Sequence, residues 1–387
     1  MRDVIIVGAG PAGTRCAKLL AEEGVDVVVY ERRNEIGSPK RCGEGLDEKA
    51  EELIGKIPER CIANKVIGAM VYAPNGKSIE VKGDGYILER KVFDKWMAIE
   101  AAKSGAEVRS GTDIHNLIIE NGYVKGVKGK FIGEDFEERA KVVVAAVGAE
   151  SKLPREAGVN TACDVQLVDT CLQFEMANVK SDQRFIHIYL GKEIAPRGYA
   201  WIFPKGNETA NVGLGILPVG TKGERPIDYL NKFINKNDEL NKASIIEVNA
   251  GVVPVGGLVK EMVSNGFVVC GEAAHHVNPI HGGGIKEAMI SGEIAANVVK
   301  KALKENNFSK EFLSEFDKTW WKERGEKLRR IEKMREVFEK MEDKDFNELV
   351  EIFKPEDILA VSNGDLITVL KIIAKNPKLI KYAKFLK

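Results

Sequence analysis

The run Gly8-Ala9-Gly10-Pro11-Ala12-Gly13 constrains this chain more than any other feature, because of what surrounds it. Residues 3–7 are almost wholly apolar, residues 11–21 have a helical pattern, and `VDVVVYER` reads as a second strand ending at Glu31. In such a strand–turn–helix–strand unit the first glycine permits a tight turn, the second lets backbone approach a pyrophosphate, and the third lets the helix pack on the strand. The helix start adds free N–H donors and about half a positive charge. A carboxylate at the place of Glu31 can bind the hydroxyl pair of a ribose. These features predict a dinucleotide at the head of an α/β domain, without separating NAD from FAD.

The second informative stretch is Gly271–Gly292, `GEAAHHVNPIHGGGIKEAMISG`. A short apolar strand delivers Glu272, and Gly282, Gly283 and Gly284 precede a helical pattern expected to begin near Gly282. Glu272 suits a ribityl hydroxyl. Bare backbone at a helix N-terminus suits a flat ring whose reduced form carries negative charge at one edge. The plainer account is a loop that needs several positive-φ positions. Together the two stretches predict a flavin held between the ends of the chain.

Composition narrows the rest. With 58 basic and 58 acidic residues the chain has no global field to draw nucleic acid. Six cysteines lack CxxC spacing, so no zinc or iron–sulfur site is expected, and Cys16 and Cys270 read as buried thiols of a reducing, cytoplasmic protein. The strand pattern starting at Val4 leaves no room for a signal peptide, and no apolar run approaches the ~18 residues of a membrane span. His275, His276 and His281 surround the glycine loop without metal spacing and read as supporting residues.

The two stretches resemble the flavin motifs of the para-hydroxybenzoate-hydroxylase-like flavoproteins, with Glu272 where that family usually has Asp. Gly148-Ala149-Glu150-Ser151 is a degenerate form of the family's third signature. Two further segments narrow the likeness. Pro39-Lys40-Arg41-Cys42-Gly43-Glu44-Gly45 resembles the P-x-x-C-G-E-G segment of geranylgeranyl reductases, and Pro196–Pro204 matches their P-x-x-Y-x-W-x-F-P motif at every fixed position. The chain is similar to the archaeal-type branch of that family, which reduces digeranylgeranylglycerophospholipids, over nearly its whole length and less so in the last seventy residues.

The resemblance implies a Rossmann-like FAD-binding domain (1–68, 89–158 and 257–308), an inserted antiparallel-sheet lipid domain (69–88 and 159–256) and a helical C-terminal region (309–387). It implies FAD contacts from Gly8, Gly10, Ala12, Gly13, Glu31, Arg41, Cys42, Gly43, Gly45, Arg90, Ile114, Glu272, Pro279, Gly283, Gly284 and Ile285. For Arg90 the plain alternative is a helix-surface salt bridge. Cys42 reads equally as a catalytic proton donor or a structural loop thiol.

Tyr199, Trp201 and Phe203 alternate and so share one face of a strand. They read as a wall for polyprenyl chains, or as ordinary inter-sheet core. The implied reaction is hydride transfer from flavin N5 to C=C bonds of a polyprenyl ether lipid. A flavin monooxygenase and a non-catalytic lipid-binding electron carrier are the competing readings. The chain has no second nucleotide motif, so the expected electron donor is a soluble one such as ferredoxin, or transiently bound NAD(P)H. Leu366–Lys387 holds six lysines and no acid, which fits either peripheral contact with the inner membrane face or a docked helix with solvated lysines.

Overall fold

The computed structural model describes residues 1–221 and 223–385. It is a mixed α/β structure built on two eight-stranded sheets. In the first, Arg2–Val7 is central. Val27–Tyr30 and Glu134–Ala145 pair with it in parallel on either side, and Phe267–Val269 pairs in parallel with the latter. These runs are rich in Val and Ile and are buried on both faces, as the inner strands of a covered parallel sheet must be. The outer half of Glu134–Ala145 leaves the layer to pair with the hairpin Thr112–Glu120/Tyr123–Phe131, which turns at Asn121-Gly122.

Parallel strands end on the same side. Gly8, Glu31, the Ala146–Glu150 loop and the Gly271-Glu272 turn each follow one of four of the five parallel strands, so all four emerge at one edge. From the adjacent strands Arg2–Val7 and Glu134–Ala145 the chain moves outward in opposite directions, to Val27–Tyr30 and to Phe267–Val269, and at such a point α/β sheets bind ligands. Helix Pro11–Ala21 lies against helix Ile285–Glu305 at close range. A Cβ on Gly292 would stand 2.3 Å from the Ala12 carbonyl oxygen, so only glycine lets these helices meet.

The second sheet runs in the order Ser244–Pro254, Val168–Ala177, Thr209–Ile216, Tyr199–Gly206, Phe185–Tyr189, Ile62–Tyr72, Ser78–Leu88, Gly45–Asp47. On one face Phe174, Met176, Ala200, Ile202, Val212 and Leu214 pack against Tyr229, Leu230, Phe233 and Ile234 of helix Pro226–Asn235. By the two-residue period, Asp169, Cys171, Gln173 and Glu175, with Tyr199, Trp201, Phe203 and Lys205, point to the opposite face.

Two expectations need correction. The boundary at residue 68 falls inside the strand Ile62–Tyr72, all of which belongs to the second sheet. Gly68 marks a shift in register against Ser78–Leu88, where a Cβ would lie 2.3 Å from the Val81 carbonyl oxygen. The helix after the glycine run begins at Ile285 rather than near Gly282. The backbone from Asn278 to Gly283 closes on itself instead, Gly282 N–H donating to the Asn278 carbonyl at 2.9 Å and Asn278 N–H to that of Gly283 at 3.0 Å.

Between residues 310 and 385 the chain is largely helical. A π-turn at Trp321–Gly325 accommodates two adjacent indoles, and Trp320 stacks on His276 at 3.9 Å between ring centres. Met334, Val337, Met341, Phe346, Leu349, Val361, Ile373, Leu379 and Tyr382 form a separate small core. Among the described residues no helix is long and apolar enough to cross a membrane.

Candidate active site

The three glycines of the first turn divide their work. Gly8 has φ +103°, and a Cβ on it would lie 2.3 Å from the Ala146 carbonyl oxygen; one on Gly13 would lie 2.0 Å from that of Gly8. Both are excluded by protein already in place. Gly10 has nothing within 4 Å of its Cβ position, so its backbone faces open space. No side chain caps the helix that follows, which leaves its first N–H groups for a ligand. Ala12 is buried in this first turn. Glu31 folds back on the loop, accepting from Ala9 N–H and Arg33 N–H at 3.0 Å each.

An arginine cluster borders this turn. Glu150 pairs with Arg41 at 2.5 Å and Arg32 at 3.4 Å. Arg33 is half-buried; burial and the nearby Arg41 and Arg32 oppose its charge, while Glu31 favours it. Three guanidiniums against two carboxylates leave a positive excess beside bare helix N–H groups, which suits a pyrophosphate. Glu272 lies by Gly148, accepts from Ala149 N–H and, among the described residues, has no cation bonded to it; burial pushes its carboxyl up to about 7. A carboxyl kept from bulk solvent and without a counter-ion is ready to meet hydroxyl groups. The bare Gly10, the uncapped helix, the arginines and Glu272 together fit FAD.

Cys42 sits in a loop pinned from several sides. Its carbonyl accepts from Gln173 Nε2 at 2.9 Å, and Gln173 Oε1 accepts from Trp201 Nε1 at 3.1 Å. Its Sγ accepts from Glu44 N–H at 3.2 Å. Burial pushes the thiol up, against the pull of Arg90, so it stays protonated. Arg90 opens helix Arg90–Lys103 and forms a bidentate pair with Asp94 at 2.8 Å, so the salt-bridge alternative is present and the guanidinium still faces Cys42.

Glu44, fully buried with φ +75°, is the fastening. It accepts from Arg90 N–H at 2.8 Å, Lys205 at 2.9 Å, Asn211 at 2.7 Å and Lys40 at 3.1 Å. Burial opposes its charge, but Lys205 and Lys40 outweigh that and hold it below the ordinary carboxylate range.

The aromatic residues do share a face, with ring centres 5.8 and 6.0 Å apart. Their surroundings differ along the strand. The Phe203 ring covers Gly43 and Gly45, 3.0 and 3.3 Å from Cβ positions there, so it packs on the Cys42 loop. Trp201 is buried against Gln173. Tyr199 reaches the glycine loop, its hydroxyl donating to the His281 carbonyl at 2.6 Å. Beside it Gly251, Cys171, Gly215 and Tyr199 lie opposite one another on four neighbouring strands. Two of those positions have no side chain, so the row forms a shallow trough, with Arg41 lying over Gly251 and Cys171 and Asp169 beside Gly215. Cys42, Arg90, Asp169, Cys171, Tyr199 and Glu272 all feel burial strongly yet keep partly accessible surface, as groups lining a deep cleft do.

Pro279 is buried at the turn that carries His281 to Gly284. The His281 Nδ1 accepts from Gly283 N–H at 3.1 Å; the residue keeps exposed surface, and the partial loss of water around its ring lowers the imidazole's pKa. Ile285 begins the helix and is buried. Ile114 lies on the strand Thr112–Glu120, whose first N–H donates to the Glu31 carbonyl at 2.8 Å, and its side chain is in the core against Gly129. Sequence reasoning missed Asp169, Cys171, Gln173, Lys205 and Asn211. The signal was the polar alternation Asp169-x-Cys171-x-Gln173-x-Glu175 opposite an apolar Leu172-x-Phe174-x-Met176.

Comparisons with known proteins agree with this geometry. Residues 168–253 match the geranylgeranyl reductase catalytic domain, and residues 2–189 match the pyridine nucleotide-disulphide oxidoreductase family. The chain is 39% identical to digeranylgeranylglycerophospholipid reductase 2 of Methanopyrus kandleri over 99% of both chains. It is 40% identical to the digeranylgeranylglycerophospholipid reductase of Methanocella arvoryzae, over 98% of this chain and 97% of that one. Among solved structures, a geranylgeranyl bacteriochlorophyll reductase-like protein of Thermoplasma acidophilum superposes with a TM-score of 0.92 at 35% identity, over 100% of this chain and 99% of that one.

Proposed function

This chain belongs to the digeranylgeranylglycerophospholipid reductase family, and from that premise we propose that it is an FAD-dependent reductase saturating C=C bonds in the geranylgeranyl chains of archaeal-type ether phospholipids. The observation that carries the reading is the meeting of Tyr199 with the glycine loop at His281, beside a trough leading past Cys171. It brings the aromatic wall of the second sheet onto the loop that would receive the flavin ring. Bound FAD, once reduced, supplies the hydride.

The chain's own residues bind and align. Gly8, Gly10, Gly13 and the uncapped helix would hold the pyrophosphate with Arg41, and Glu31 and Glu272 would take hydroxyl groups. The helix that starts at Ile285 has no side-chain cap, so the N–H groups at Gly284 and Ile285 would be left for the ring edge, while Gly283 N–H is held by His281. An isolated alkene has no carbonyl to polarise, so alignment and exclusion of water carry much of the rate. Trp201 and Tyr199 line the dry slot for the chain. Cys42, pinned by Gln173 and kept as a thiol, borders the reacting carbons. The test is anaerobic: chemically reduced enzyme reoxidises when given geranylgeranyl lipid, and mass spectrometry finds two added hydrogens per bond. A reduced enzyme that stays reduced, or that reoxidises while every bond survives, overturns the reading.

Electrons come from a soluble donor, ferredoxin or transiently bound NAD(P)H; supporting this, the described residues hold one nucleotide-type sheet. The protein works in the cytoplasm and touches the membrane through its C-terminal helices. Supporting this, Ile367 and Ile380 are more than half exposed beside exposed Lys371 and Lys375, with no acid from Leu366 onward. The docked-helix alternative has support too, since Leu379 and Tyr382 are buried and Lys381 pairs with Asp345 at 2.8 Å. Residues 386 and 387 of that basic stretch lie outside the described residues. Co-sedimentation with anionic vesicles, lost on replacing Ile367 and Ile380 with Ser, tests the contact.

A further inference from the structure

We propose that Asp169 is the catalytic acid of this site, set in the wall of the trough where it can pass a proton to an alkene carbon lying over Gly215; this rests on the reductase reading. Asp169 is on the cleft face of Val168–Ala177, two residues from Cys171. A Cβ on Gly215 would lie 3.7 Å from Asp169 Oδ2 and 3.1 Å from Cys171 Sγ, and Gly215 pairs with Tyr199 on its other side. An acid, a thiol and a phenol thus surround one bare stretch of backbone.

The other carboxylate oxygen, Oδ1, is buried without a hydrogen-bond partner. An ionised carboxylate in that position is poorly met, whereas a protonated one has less charge to satisfy. The charged groups around it come from two other segments. Arg335, and Glu339 at the end of the helix Glu326–Phe338, belong to one of them, and Arg197 in the turn before Tyr199 to the other. Glu339 pairs with both guanidiniums, with Arg335 at 2.5 Å, which weakens their pull on Asp169.

Burial therefore prevails and pushes the Asp169 carboxyl up to about 7. The thiols of Cys42 and Cys171 and the Tyr199 phenol are raised by burial as well, and from higher starting points, so they hold their protons through neutral pH. Glu272 matches the value of Asp169, but it is bonded to Ala149 N–H on the cofactor side. Asp169 is then the trough group able both to release a proton at neutral pH and to regain it.

In the step itself the C=C π bond breaks. One carbon takes hydride from the reduced cofactor, and the other takes the Asp169 proton. The carboxylate then recovers a proton from water.

The experiment uses the FAD-loaded enzyme and its Asp169→Asn and Asp169→Glu variants. Infrared difference titration of the oxidised enzymes comes first, because it needs no turnover. Wild type should show a protonated-carboxyl band, absent from D169N, that disappears around pH 7. A band lost near the ordinary aspartate value overturns the proposal.

Single turnover of geranylgeranyl lipid by pre-reduced enzyme comes second. Wild-type rate should fall about tenfold per pH unit above about 7, while D169N should be about 100-fold slower and flat with pH. D169N at the wild-type rate and profile overturns the proposal. If D169N fails to retain FAD, D169E decides: a displaced pH break supports Asp169, and an unmoved one overturns it. If wild type saturates no bond while the infrared band titrates near 7, the reductase reading fails and, with it, the role for the proton, but not the protonated state.

Discussion

Glu44 and Glu272 are both withdrawn from bulk water, and they are held in opposite ways. Glu44 meets two lysine ammoniums, an amide and a backbone N–H, and its charge is favoured. Glu272 meets one backbone N–H, and its charge is opposed. The first is a finished interaction that fixes a loop. The second is unfinished until something with hydroxyl groups arrives. A buried acid with its full set of partners marks architecture, and one short of partners marks a binding cleft.

The contrast can be broken most sharply at Glu44. Glu44→Gln leaves Lys205 and Lys40 buried with less counter-charge, which should cost about 3–5 kcal/mol, read by denaturant unfolding. Removal of the Lys205 charge by Lys205→Met should be comparably damaging. Glu272→Gln should leave the stability of the flavin-free protein within about 1 kcal/mol of wild type or raise it. It should still weaken FAD binding roughly tenfold, the loss of one charged hydrogen bond, as measured by fluorescence titration. Equal destabilisation by both substitutions would erase the distinction.

Acidity sharpens the comparison next. The folded pKa of Glu44 lies below its unfolded value, so its contribution is present above the ordinary carboxylate pKa and is lost as pH falls through the lowered value. The folded pKa of Glu272 lies above its unfolded value, so its contribution is complete below about 4.5 and is lost as pH rises to about 7. Flavin-free protein should therefore lose stability between those values, and Glu272→Gln should flatten the slope in chemical denaturation. The smallest effect is expected from Tyr199→Phe, which removes one hydrogen bond to the His281 carbonyl. About 1 kcal/mol of stability should go, with FAD retained and a raised KM for the lipid.

Much of this was legible in the sequence, for identifiable reasons. The first strand–turn–helix–strand unit is local, and each of its glycines has a separate steric duty that the motif spacing states. The alternation of Tyr199, Trp201 and Phe203 is equally local, so their common face could be read; what each ring touches could not. Phe203 covers the Cys42 loop because Gly43 and Gly45 arrive from far away in the chain. The role of Glu44 was hidden for the same reason, since Lys205 and Asn211 are set by strand register in another sheet. The boundary at residue 68 cuts a strand, because the pairing of Ile62–Tyr72 with Ser78–Leu88 and the bulge at Gly68 are set by register rather than by local sequence. The glycine run at 282–284 suggested an earlier helix start, but Asn278 closes the backbone first.

Asn211 and Glu44 are 167 residues apart in the chain. A polypeptide emerging from the ribosome makes its nucleotide turn early, yet the Glu44 loop lacks its full set of anchors until residue 211 has been synthesised and the sheet around it has closed. Incomplete chains should then be colourless, and nascent chains arrested before residue 211 should fail to retain flavin while those released at full length acquire it. Cofactor capture would report that translation has passed the middle of the message, so that half-made enzyme never carries a reactive ring without its shield.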